Sequence, residues 1–257
     1  MSQSVVVEKN IELHEKEAQD YEDEKIEIYN QREQDRIRSV LSETKGHIDT
    51  GNSNLKALDV GCGTGNVLKK LDYHFDEVFG VDLSDDMLSE AVSQADGING
   101  RFVRGEMSDL PFPDNYFDFV SAYSLLHHLP NFSEPISEVA RVLEEGGVFY
   151  VDHEPVERGM FLVRSYIKFC DILNGESCEG LPPYDETEGR EYCDYHLHHG
   201  EDVGVPISEL VDLLREKGFE VIEDRKYLTY GTDKKNPLYF VLKPFIDTEW
   251  LFIGRKR

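Results

Sequence analysis

The sequence predicts an α/β protein in which parallel strands alternate with helices. Three observations carry this. The octet Leu58-Asp59-Val60-Gly61-Cys62-Gly63-Thr64-Gly65 ends a short apolar run and precedes a helix-like run of Val67, Leu68 and Leu71, so it reads as strand, glycine turn and helix start. Glu77 to Val81 reads as a second strand ending in Asp82, and an acid about twenty residues after such a turn is the position that meets ribose hydroxyls in open α/β sheets. Apolar runs at 101–104, 117–122 and 219–227 continue the alternation with amphipathic stretches between them.

The glycine turn is the point around which the chain is organised. It lets a ligand lie against bare backbone, with helix N–H groups facing it. Alone it has three readings: a dinucleotide site, an S-adenosylmethionine site, or a turn that binds nothing. A dinucleotide fingerprint places a further glycine three residues after the second; that position is Asn66. Asp59, two residues before Gly61, would repel a pyrophosphate. S-adenosylmethionine carries a sulfonium and an ammonium and no phosphate, so an acid at the strand end favours it.

Composition bounds the function. The 257 residues suffice for one α/β domain with an insertion. Asp and Glu number 52 against 27 Lys and Arg, a formal charge of −25, which disfavours nucleic-acid and anionic-lipid partners. No run approaches a membrane span, and Met1 to Val7 lacks the basic start of a signal peptide. The four cysteines, Cys62, Cys170, Cys178 and Cys193, form no CxxC pair, so a reduced, cytoplasmic protein without structural zinc is expected.

In chain order, residues 8 to 45 are polar and helix-favouring and predict two helices, an arm or lid over residues 1–50; residues 51–257 form the main domain. After a linker from Gly46 to Asn54, Leu55 to Val60 is the first strand. Ser84 caps the helix after Asp82, whose apolar stripe is Met87, Leu88, Ala91, Val92 and Ala95. Phe117 to Ala122 leads to Tyr123, Ser124, Leu125, Leu126, His127 and His128 at the strand's carboxyl end, where ligands bind in doubly wound folds. Tyr123 and Ser124 are therefore expected beside the methionine part of the cofactor. Asn131 to Leu143 is a helix with Pro135 in its first turn, followed by a Gly-Gly turn and a strand that delivers Asp152, His153 and Glu154 to the same edge. His127, His128, His153 and Glu154 are the candidate general bases.

Residues 155 to 205 read as an insertion, with an apolar helix from about Met160 to Leu173 and a loop carrying Tyr184, Tyr192 and Tyr195. From 152 to 205 there are 13 acids and 4 Lys or Arg; such a cap suits a neutral or cationic ligand with a flat apolar part. His196, His198 and His199 lack an obvious fourth ligand, and no metal is expected. Pro206 to Lys217 is a helix with Ser208 near its N-cap, Phe219 to Tyr227 a strand, and Glu249 to Gly254 the last strand. The 229–247 stretch between those strands is a further candidate cap over the substrate.

The octet from Leu58, with "GVDLSDDML", "LPFPD", "NYFDFV" and "EVARVLEEGGVFYVDHEP", resembles class I S-adenosylmethionine-dependent methyltransferases. Glu145 stands where that family usually has Pro. The resemblance implies a Rossmann-like, doubly wound, seven-stranded, mostly parallel sheet with an antiparallel last strand. It implies S-adenosylmethionine as methyl donor and a small-molecule acceptor, with a protein or RNA acceptor, or a non-catalytic binding protein, as alternatives. Within it, Asp59, Gly61, Cys62, Gly63 and Gly65 border the methionine end, Asp82 and Leu83 the ribose, and Glu106 and Met107 the adenine, with Asp109 as the alternative acid. "KEAQDYED" resembles the segment that lays an aromatic residue over the ligand, which makes Tyr21 the candidate. Oligomeric state and acceptor atom (O, N, C or S) are not encoded in these motifs.

Overall fold

The computed structural model describes residues 26–95, 97–98, 100–156, 205–227 and 249–257. Tyr21, the expected helix at 160–173, Tyr184, Tyr192, Tyr195, His196, His198, His199 and the 229–247 stretch lie outside the described residues, as do Cys170, Cys178 and Cys193. The elements in order are α1 (Ile26–Tyr29), α2 (Gln31–Lys45), β1 (Lys56–Val60), α3 (Leu68–Leu71), β2 (Glu77–Asp82), α4 (Asp85–Ser93), β3 (Gly100–Arg104), β4 (Phe117–Tyr123), a 3₁₀ turn (Leu126–His128), α5 (Ser133–Val142), β5 (Leu143–Pro155), α6 (Ile207–Glu216), β6 (Phe219–Tyr227) and β7 (Glu249–Lys256).

Seven strands form one sheet in the order β3-β2-β1-β4-β5-β7-β6. The pairs from β3 to β5 are parallel, while β7 runs antiparallel to both β5 and β6. The chain thus reverses direction of build at β1: it winds outward to β3, then returns to place β4 on the other side of β1. That switch point is where ligands sit in open α/β sheets.

The core lies on both faces of the sheet, as expected when helices cover both sides of parallel strands. One face packs Leu58, Phe79, Val120 and Phe149 against α5 and α6 through Ile136, Val139, Leu210 and Leu214. The other packs Ala57, Phe119, Tyr150 and Leu251 against α2 and α3 through Ile37, Val40, Leu41 and Leu68. The helical arm is thereby part of the second core layer. The single tryptophan, Trp250, is fully buried on β7 and donates to Asp224 Oδ1 at 2.8 Å.

Local chemistry sets the element ends. Asn30 caps α2 by accepting from Glu33 N at 3.0 Å, and Ser84 caps α4 by accepting from Met87 N at 3.2 Å. Asp118, buried in the middle of the sheet's lower edge, accepts from Thr50 Oγ1, Asn52 Nδ2 and Lys56 N and so fixes the linker to β4.

Four expectations are corrected. The helix near 131–143 is shorter: it starts at Ser133, and Leu143 already pairs with Phe117 as the first residue of β5. The Gly-Gly pair therefore lies within β5, not before it; the register shift after Phe117 is accommodated there, with Gly146 at φ +80°. A Cβ on Gly146 would stand 2.2 Å from Asp49 O, which is why the position takes no side chain. Val92 points outward, 56% exposed, because α4 ends at Ser93 and buries only Met87, Leu88 and Ala91. Ser208 does not cap α6; Pro206 precedes that helix with no side-chain cap.

Because β7 is an interior strand, Trp250→Ala should cost about 3–5 kcal/mol of stability, the usual range for removing a buried tryptophan. Urea denaturation checks this, and a loss under 1 kcal/mol would contradict the packing described.

Candidate active site

The carboxyl ends of β1, β2, β4 and β5 meet above the switch point. The turn after β1 is pinned to β2: Gly61 N and Cys62 N both donate to Val81 O, at 2.7 and 3.0 Å. Gly61, Gly63 and Gly65 all have positive φ, so three L-side chains would be strained here. Their surroundings differ. A Cβ on Gly61 would strike the Leu125 side chain at 2.6 Å, one on Gly65 would meet Ala91 of α4, and one on Gly63 would project into open space. Gly63 is thus the point where a ligand can approach bare backbone.

A cleft opens there. It is lined by Asp59, Gly61, Cys62, Gly63 and Thr64 at the end of β1 and its turn, by Asn66 and Val67 at the start of the next helix, by Tyr123 and Ser124 at the end of β4, and by Ile28 and Tyr29 of the arm. Tyr29 Oη and Thr64 Oγ1 are 2.9 Å apart, which joins the helical arm to the turn. Ile28, Tyr29, Thr64, Asn66 and Val67 were not expected from the sequence as cofactor-site residues. Tyr29 stands directly before the helix-capping Asn30, a local signal that the sequence reading did not use.

Asp59 is buried and accepts from Ser121 Oγ at 2.7 Å. Burial pushes its carboxyl up to about 7, against the opposing pull of Ser121 and the Lys70 charge. Asp82 is half-buried and accepts from Gly63 N at 2.9 Å and Ser84 N at 3.0 Å. It stands one hydrogen bond behind the cleft and keeps acceptor capacity on both oxygens. Leu83 follows it, half-buried. Gly105 N donates to Asp82 O at 3.1 Å and brings the 105–110 loop alongside. In that loop Met107 is buried in the core, Glu106 half-buried and Asp109 exposed, and Asp109 N donates to Glu106 O at 3.0 Å. The cysteine of the turn, Cys62, is buried with a free thiol, and burial pushes that thiol well above its ordinary range.

The candidate bases fall into two groups. Glu154 is fully buried and accepts four hydrogen bonds: Leu125 N and Leu126 N at 2.8 Å, His127 N at 3.0 Å, and His127 Nδ1 at 2.9 Å. It holds the 3₁₀ turn onto β5, and His128 stacks against His127 with ring centres 4.1 Å apart. His153 is separate. It has φ +60°, lies 5.2 Å from the Tyr123 ring, and its Nδ1 is 3.8 Å from Glu249 Oε2 of β7. Its buried Nε2 meets no acceptor among the described residues. Ser124, at φ +55°, is the other strained non-glycine residue at this edge; such strain concentrates at functional sites.

Behind the cleft lies an ionic cluster that the sequence did not reveal. Arg36 of α2 donates to Glu33, to Asp152 Oδ2 at 2.9 Å and to Tyr227 Oη at 2.9 Å. Tyr150 and Tyr227 both donate to Asp152, and Tyr123 Oη donates to Glu33 Oε1 at 3.2 Å. Burial, then the carboxylates of Glu33 and Asp152, hold the Tyr123 phenol well above its ordinary range.

Comparisons with known proteins identify the family. A methyltransferase domain family model matches residues 58–151. A demethylmenaquinone methyltransferase of Geobacillus kaustophilus is 31% identical over 185 residues, 68% of this chain and 75% of the relative. The methyltransferase YcgJ of Bacillus subtilis is 37% identical over 102 residues, and the match covers 38% of this chain but only 40% of that relative. Among solved structures, a chain of the complex between the Haloferax volcanii Trm112 methyltransferase activator and a methyltransferase has a TM-score of 0.60 at 19% identity, covering 94% of this chain and 96% of that one. The YcgJ structure has a TM-score of 0.56 at 18% identity and covers 86% and 98%. The chain belongs to the class I S-adenosylmethionine-dependent methyltransferases.

The residues present fit that family's methyl donor. A buried acid faces the cleft, Gly63 leaves its backbone open, and a buried Asn66 amide nitrogen meets no acceptor among the described residues. No group of three or more His, Cys, Asp or Glu side chains among the described residues is arranged to hold a metal ion.

The Asp59 carboxyl at about 7 has a measurable consequence. An unfolded aspartate releases its proton near pH 4, so between about pH 4 and 7 the folded chain binds a proton that the unfolded chain does not. Asp59 therefore lowers stability progressively as pH rises through that window, by at most about 1.4 kcal/mol per pH unit. Asp59→Asn should gain stability relative to the parent between pH 4.5 and 7. Urea denaturation at four pH values tests this; a pH-independent difference would sink it.

Proposed function

We propose that this protein transfers the methyl group of S-adenosylmethionine to a small-molecule acceptor with a neutral or cationic, flat apolar part. The observation that carries the reading is the pairing of a buried acid, Asp59, with the open glycine turn in one cleft at the sheet's switch point. Support for a small acceptor comes from the demethylmenaquinone methyltransferase relative, three quarters of whose length aligns with this chain. The strongly acidic balance disfavours nucleic acid. Among the described residues no helix is long and apolar enough to cross a membrane; a cytoplasmic location is part of the proposal.

When bound, S-adenosylmethionine supplies an activated methyl group on a sulfonium, so the protein's task is alignment and exclusion of water. In this reading Asp59 takes the ammonium, and Asp82 takes the ribose hydroxyls while Gly63 N holds it in place. Leu83 lies beside Asp82 at the ribose, Glu106, Met107 and Asp109 border the adenine side, and Tyr29 and Ile28 cover the cleft, with Tyr21 as a further cover. Tyr123 and Ser124 separate the cofactor from the acceptor. A base is needed only for an acceptor protonated at working pH. His153 is the candidate best placed for that role, because its Nε2 meets no partner among the described residues. His127, with His128 beside it, is oriented by Glu154, whose four hydrogen bonds suit it to positioning more than to proton transfer.

A non-catalytic S-adenosylmethionine-binding protein would share the cleft and lack turnover. Calorimetric titration with S-adenosylmethionine, S-adenosylhomocysteine and NAD tests the cofactor: the first two should bind and the third should not. Transfer of a labelled methyl group to a panel of phenols and aromatic amines then tests turnover. Asp82→Ala should weaken S-adenosylhomocysteine binding by about 1–3 kcal/mol, the range for charged hydrogen bonds. Unchanged affinity in a folded variant would remove Asp82 from the ribose.

A further inference from the structure

Asn66 occupies the position where a dinucleotide fingerprint would have glycine, and it has a side chain with work to do. It lines the cleft and is only 9% exposed. Its Oδ1 accepts from Gln34 Nε2 at 3.0 Å and from Lys70 Nζ at 2.7 Å. Lys70 is itself buried and also donates to Asn66 O at 2.6 Å. Gln34 Nε2 is fixed as the donor by a second bond, to Ile28 O at 3.0 Å.

These partners settle which way the amide faces. An ammonium can only donate, so the atom beside Lys70 must be the oxygen. The other end of the amide is then Nδ2, and it is buried without an acceptor among the described residues. Leaving a buried N–H unpaired costs about 1–3 kcal/mol, so a donor held in this way points to a ligand acceptor. The ammonium at Oδ1 also polarises the amide and strengthens Nδ2 as a donor. The same cleft holds the acid Asp59. One side of a ligand therefore meets a negative group, and another meets a donor backed by a positive one. That is the charge pattern of an α-amino acid.

We propose that Asn66 is the carboxylate-binding residue of the cleft, its Nδ2 donating to the α-carboxylate of the methionine portion of the methyl donor while Lys70 and Gln34 hold the amide in place. The assignment rests on the methyltransferase reading above. It makes Asn66 and Lys70 a subsite that distinguishes the intact amino-acid tail from adenosine thioethers that lack it.

The test is calorimetry with two ligands, S-adenosylhomocysteine and its decarboxylated analogue, which keeps the adenosine, the thioether and the amine. Asn66→Ala should weaken the first about tenfold or more, as expected for a hydrogen bond to a charged group, and leave the second within twofold. Asn66→Asp keeps two acceptors for Gln34 and Lys70 and the same shape, so it guards against a misfolded alanine variant. It sets a carboxylate against a carboxylate and should weaken S-adenosylhomocysteine at least as much as alanine does. Equal losses for both ligands, or no loss for the first, would overturn the assignment while leaving the cofactor reading intact. If the unaltered protein binds neither ligand, the methyltransferase reading itself falls and the subsite falls with it.

Discussion

One guanidinium holds the outer half of the site to the sheet. Arg36 reaches from α2 to Asp152 on β5 and Tyr227 on β6, and its carbon lies 4.3 Å above the Tyr227 ring. Burial disfavours its charge, yet the carboxylates of Asp152 and Glu33 outweigh that and keep it ionised. The converse also holds. Asp152 is fully buried, and without Arg36 its charge would have only phenol and backbone donors. The arm that supplies Ile28 and Tyr29 to the cleft is seated through this contact and through the apolar face of Ile37, Val40 and Leu41. The geometry of the ligand cleft is therefore set partly by an ion pair between residues far apart in the chain.

Two carboxylates at neighbouring strand ends live in opposite environments. Asp59 sits under the turn, accepts from Ser121 Oγ, and is pushed toward its neutral form by burial. Asp82 is half-buried and faces two backbone N–H groups. A cation entering the cleft would stabilise the charged form of Asp59, so binding and ionisation at that residue are coupled. Similar residues at analogous positions thus come to differ through what surrounds them.

The parts legible in the sequence were those whose signal is local. The glycine turn, the Ser84 cap, the β6 boundaries and the order of strands and helices follow from periodicity and turn chemistry within a few residues. The antiparallel last strand came from the family resemblance, and the sheet has it. What was not legible depends on residues distant in sequence. The Gly146 bulge exists because Asp49 passes close by, and Arg36 is distinguished from other arginines only by Asp152 and Tyr227. Val92 looked apolar enough for the core, but α4 stops too early to bury it. Asn66 was read from the sequence only as a missing glycine; its two donors and its unpaired nitrogen emerge only when Gln34 and Lys70 are brought beside it.

The place of β7 sets an order of assembly. It is the last strand in sequence but lies between β5 and β6 in the sheet, pairing with both. Domains emerge from the ribosome amino-terminus first, so β1 to β5 can pair while β6 still has no neighbour to join. Until β7 arrives, the open edge of β5 exposes unpaired backbone groups, the kind of edge along which chains associate. The sheet is therefore finished from the inside, by a strand that emerges after β6, and β6 with its helix α6 is locked onto the domain at the same moment.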